Sequence, residues 1–131
     1  MGAGDRYVEV PAEALFAFLE SKGFERTCPR REVVYRRAHA SDPRYVVLVY
    51  TSVREGAARA RARGADAIRV CAVYEPGGGA PGRGVCKLPK VLRTGSVDAV
   101  MGRVLDRMRD AYASCTDRIR RDRATRARLP G

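Results

Sequence analysis

Apolar residues recur at helical spacing near both ends of the chain and at strand spacing between them. The first helical pattern is Leu15, Phe16, Phe18 and Leu19, a broad stripe over residues 11–22. Pro11 suits a first turn, where its missing N–H has no partner to lose. Glu13 lies near the positive end of the helix dipole. Gly23 supplies the left-handed stop, with Phe24 folding back on the last turn. Strand alternation then takes over. Glu32 to Arg37 reads as one strand, Ala40-Ser41-Asp42-Pro43 as a turn, and Tyr45 to Val53 as the second arm of a hairpin. The run Val46-Val47-Leu48-Val49 is apolar on both faces, the mark of a central strand.

Arg54 to Arg63 is ambiguous. Its alternation of Ala with Arg59, Arg61 and Arg63 puts all three arginines on one face if extended, but Ala favours a helix. A short edge strand or a basic loop is expected. Asp66 to Glu75 is a clear strand, with Ile68, Val70, Ala72 and Tyr74 on one face and Arg69, Cys71 and Val73 on the other. Pro76 to Gly82 reads as a hairpin loop. It lacks a Walker lysine followed by Ser or Thr, and it leads into a strand. Gly84 to Thr94 forms the next strand, with Pro89 at an edge or bulge. Ser96 caps the last helix. Val97, Val100, Met101, Val104, Leu105, Met108, Tyr112 and Cys115 carry its stripe. From Thr116 the stripe thins and Arg dominates, so residues 117–131 are expected to be a disordered basic tail on a single domain of residues 1–116.

Helix, four or five antiparallel strands, then a long helix make an α+β fold. Both helices are expected on one sheet face, with the other face open.

Charge changes the picture. The chain of 131 residues carries 26 Lys and Arg against 15 acids, a net +11, and all but three of those bases are Arg. A GC-rich genome explains Arg in place of Lys but not the surplus over acids. Such clustering is the electrostatic footprint of a nucleic-acid binder. No apolar run approaches the roughly 20 residues that span a bilayer, so no membrane partner is expected. Met1 to Asp5 offers no apolar signal region, and a cytoplasmic or nucleoid setting is the expectation.

Catalytic chemistry is thinly supplied. Cys28, Cys71, Cys86 and Cys115 lack metal-ligand spacing, and His39 is the single histidine, so no metal or other cofactor is expected. The acids form no paired cluster. Binding chemistry is richer: Arg forks onto phosphate and stacks on bases, and Tyr35, Tyr45, Tyr50 and Tyr74 all lie on expected strands. About half of those rings are expected to be structural, by their alternation with Val. Alternation also aims Arg69, Lys87 and Arg93 at the open sheet face.

Three stretches, Tyr50-Thr51-Ser52-Val53, Gly64 to Val70 and Val91-Leu92-Arg93-Thr94-Gly95, resemble a small group of prokaryotic and phage proteins. Some members of that group append a topoisomerase-type zinc ribbon, which this chain lacks. The resemblance implies DNA-related work. At the level of topology the expected fold is also similar to Whirly-type single-strand binders and their topological relatives, an analogy that does not fix function.

The expectation is therefore a non-catalytic nucleic-acid binder that prefers single strands. Its expected binding residues are Arg59, Arg61, Arg63, Arg69, Lys87, Arg93 and Tyr45, extended by the tail. Self-association, as a dimer, is expected from the open sheet. The alternatives are a metal-free ribonuclease using His39 as base, and a subunit that binds an acidic protein.

Overall fold

A computed structural model describes residues 10–27, 33–53, 67–77 and 82–128. Helix α1 spans Ala12–Ser21. Its end follows from its residues. Gly23 sits at φ 84°, its N–H donates to the Glu20 carbonyl at 3.0 Å, and Phe24 N–H donates to Leu19 O at 3.1 Å. These two bonds close the last turn and drop the Phe24 ring into the core.

Five strands form an antiparallel meander: β1 (Glu25–Thr27), β2 (Val34–Ala38), β3 (Tyr45–Val53), β4 (Ala67–Tyr74) and β5 (Arg83–Lys87). β1 is too short to show alternation in the sequence. The hairpin between β2 and β3 is as expected. A sixth strand, β6 (Val91–Leu92), pairs with the opposite end of β4. The expected strand from Gly84 to Thr94 is thus two pieces broken at Leu88-Pro89-Lys90, where Pro89 has no N–H for a ladder. Arg107 Nε donates to the Pro89 carbonyl at 3.0 Å at this break.

Both helices pack on one sheet face. Leu15 and Leu19 of α1 share a core with Val47 and Val49 of β3 and with Ile68, Val70 and Ala72 of β4. Val100, Val104, Met108, Ala111, Cys115 and Ile119 of the second helix, α2 (Val97–Arg128), complete it. The helix continues well past Thr116, in place of the expected disordered tail. Ile119 follows Cys115 by four residues, on the same face, and is only 4 % exposed. Residues 120–127 are all exposed, so the last turns overhang the core.

The second sheet face is less open than alternation implies. Register places Val34, Tyr50 and Arg69 in one row across it, and Arg36, Leu48, Cys71 and Lys87 in the next. Arg36 of β2 forms an ion pair with Glu75, beyond the end of β4. The line between them crosses β3 at Val46, which is 0 % exposed. No helix among the described residues is long and apolar enough to cross a membrane.

Because Ile119 anchors the helix end, Ile119→Ala is expected to lower stability by about 2 kcal/mol, the low end for a large aliphatic at a core edge. Urea denaturation measures it. A disordered segment from residue 117 would leave the midpoint unchanged.

Candidate functional site

The arginines divide into those whose guanidinium is engaged by the fold and those left facing outward. Arg93 belongs to the first group. It is 8 % exposed, and its two Nη atoms donate to Thr51 O at 3.3 Å and Val10 O at 3.0 Å. Its own carbonyl accepts from Val10 N–H at 2.7 Å. Arg93 therefore ties the segment before α1 to β3 and is not on the outer sheet face, correcting the expectation. The cause is the break at Pro89. Lys87 pairs with Cys71 on the outer face, yet Val91 pairs with Ile68 on the core face, so the parity flips between β5 and β6.

Tyr45 is also corrected. It is 4 % exposed on the helix-covered face, where its hydroxyl donates to Asp122 Oδ2. Its ring lies 4.9 Å from that of Tyr74, tilted by 52°. No base can stack on it. Arg69 and Lys87 do share the outer face, on diagonal positions of β4 and β5. Lys87 is exposed, and Arg69 is half-buried with its Nε unpartnered among the described residues. Arg59, Arg61 and Arg63 lie outside the described residues.

Other guanidiniums also serve the fold. Arg44 forks onto Asp42 at 2.9 and 2.8 Å and reaches the Tyr74 hydroxyl at 3.3 Å. Those Arg44 hydrogen bonds hold the Asp42 carboxyl below the usual carboxylate range. Arg37 donates to Lys22 O at 2.8 Å and lies over the Tyr112 ring. Arg26 lies over Phe16.

The unengaged group gathers elsewhere, at the overhanging end of α2. A cleft of about 410 Å³ opens there between α2 and the β4–β5 edge, lined by Tyr45, Tyr74, Arg83, Arg118, Asp122 and Arg126, among others. Register brings Arg83 opposite Tyr74. Arg118, Asp122 and Arg126 are spaced by four and stack on one helix face. Arg83, Arg118 and Arg126 are exposed and make no hydrogen bond or ion pair among the described residues. Arg120 and Arg121 on the same helix are likewise exposed and unpaired. The Arg118-Asp122-Arg126 spacing was the available sequence signal. It has meaning only if the helix reaches that far, and the thinning apolar stripe argued otherwise.

The Tyr74 ring is engaged by Tyr45 on one side and by the Arg44 guanidinium, 5.6 Å from its centroid. The cleft thus offers cations and a polar rim without a vacant stacking platform. That chemistry suits phosphate oxygens, which guanidinium forks grip bidentately.

His39 is held by the fold. Its Nδ1 accepts from Ser41 N–H at 3.0 Å, which leaves Nε2 as the protonated nitrogen. Nε2 donates to Thr116 Oγ1 at 3.0 Å, and that hydroxyl donates on to Tyr112 O at 3.0 Å. Both ring nitrogens are thus engaged by the fold. Among the described residues no group of three or more His, Cys, Asp or Glu could hold a metal. No protein-family model, curated protein or solved structure matches the chain.

Two outcomes follow from these contacts. Arg93→Ala leaves two buried carbonyls unpaired and is expected to cost about 2 kcal/mol, whereas Lys87→Ala should stay within about 0.5 kcal/mol of the parent. Thermal or urea unfolding of the pair checks the contrast. In alkali, burial and the bond to Asp122 push the Tyr45 phenol up to about 12. Burial and the bond to Glu20 do the same for Tyr35. The fold favours the neutral phenols, so their contribution to stability is complete below about 10, the value for an unfolded Tyr. It is lost as the pH rises from there through about 12. Phenolate absorbance should show late titration, and Tyr45→Phe should remove one late phenol.

Proposed function

We propose that this protein binds nucleic acid without catalysis, with single strands preferred. The binding surface is the overhanging end of α2 with Arg83, and Arg69 and Lys87 contribute from the outer sheet face. One observation carries this reading: Arg83, Arg118 and Arg126 converge on a cleft with no hydrogen-bond or ion-pair partner among the described residues. Elsewhere on α2, Arg109 pairs with Asp106 at 3.8 Å. From residue 118 to 128 there are six Arg against one Asp, and that Asp accepts from Tyr45.

Shape supports the preference for single strands. A duplex carries its phosphates on a convex, stiff surface. A concave cleft between a helix and a strand edge admits a flexible backbone more readily. The engaged state of His39 supports a binding role over the ribonuclease alternative.

Three phosphate charges neutralised by the cleft arginines alone predict a salt slope of at least about −2 for a single strand, or about a 20-fold loss of affinity between 50 and 200 mM salt. Fluorescence anisotropy with a labelled oligonucleotide reads it. Arg118→Ala with Arg126→Ala should flatten the slope and leave the fold intact. Affinity that ignores salt overturns the proposal.

A further inference from the structure

We infer that the cleft holds a phosphate monoester, the terminal phosphate of a strand, in preference to an internal phosphodiester. In its strand form this inference rests on the nucleic-acid reading above. Charge is the first argument. Among the residues lining the cleft, Arg83, Arg118 and Arg126 outnumber the single Asp122 carboxylate by two, and the Asp42 carboxylate that also feels Arg126 is forked by Arg44. A monoester carries about −1.5 to −2 near neutrality, whereas a diester carries one charge. Two guanidinium forks from α2 and one from β5 reach the same space from different sides. That arrangement suits a group with three exposed oxygens.

Size is the second argument. A volume of about 410 Å³ lies near the lower end for small-molecule sites. That space suits one nucleotide-sized group such as the end of a strand.

A continuation exists on one side. A second hollow of about 240 Å³ is lined by Val85, Ser114, Asp117, Arg118 and Arg121. Val85 and Arg118 border both spaces. Arg118 thus stands at a junction, with a terminal phosphate on one side and the next backbone phosphate toward Arg121. Because Tyr45 and Tyr74 are engaged, the base is not gripped by stacking there, and end recognition is blind to sequence.

Matched oligonucleotides with a 5′-phosphate, a 3′-phosphate or hydroxyl ends separate the possibilities, alongside a nucleoside monophosphate and its nucleoside. One phosphorylated end should bind about tenfold or more tightly than the hydroxyl strand, the worth of one additional charge-assisted contact. The ratio should collapse in the Arg83→Ala/Arg126→Ala double variant. Both side chains are exposed, so the fold should be unaffected, which circular dichroism confirms. The ratio should also shrink as the pH falls through about 6, where the monoester dianion takes up one proton and becomes a monoanion. Equal affinity for all ends overturns the inference, and salt-dependent binding of the hydroxyl strand would then leave the nucleic-acid reading standing. Binding of the monophosphate with no binding of any strand overturns that reading and leaves the cleft as a site for a free phosphate monoester. Binding of neither overturns both.

Discussion

A helix of 32 residues lies on a sheet whose longest strand has nine, and this mismatch organises the molecule. The helix is about 48 Å long and the strand about 30 Å. Burial can therefore hold only part of it. Ile119 is the last buried side chain among the described residues, and residues 120–127 are all exposed. An exposed helix end must be polar to stay dissolved, and propensity alone holds a short helical stretch poorly. Two polar ties fix its position over the sheet: Tyr45 with Asp122, and Arg123 with the Ser41 carbonyl at 3.5 Å. The cleft lies beside this overhang, where helix and sheet edge part.

The same mismatch explains how the arginines are used. Where α2 covers the sheet, a guanidinium has carbonyls and rings within reach, and Arg37, Arg93 and Arg107 each donate to at least one carbonyl. Beyond the sheet there are few acceptors, and Arg118, Arg120, Arg121 and Arg126 face outward. A total charge does not distinguish these populations. An Arg donating to two buried carbonyls contributes the same +1 as one at a cleft rim, yet only the second can meet a polyanion at no cost to the fold.

This limits what the chain reveals before folding. The helix at residues 11–22, the β2–β3 hairpin, the two-sided burial of β3 and the apolar stripe of α2 rest on local periodicity and were legible. Arg93 was not, because period-two reasoning holds only along an unbroken strand. The break at Pro89 reverses the face of everything after it. Tyr45 was misplaced for a different reason: its partner Asp122 is 77 residues away, and no local pattern links them. The cleft is not legible in the sequence because it needs both non-local pairing and a helix that outlasts its own apolar stripe.

Gathering like charge on an overhang has an energetic consequence. Cations near a helix C-terminus are favourable, worth about 0.3–1 kcal/mol each when exposed, because they oppose the negative end of the dipole. That gain falls off within the last turn. Six arginines spread over three turns go beyond it, and their mutual repulsion opposes helix formation in this segment. Arg118 and Arg121, like Arg83 across the cleft, lie outside the reach of the dipole altogether. A polyanion bound there, as proposed, would reverse the sign of that repulsion, so the segment least stabilised by burial would gain the most from it. Binding and local order at the end of α2 would then be coupled through one set of charges.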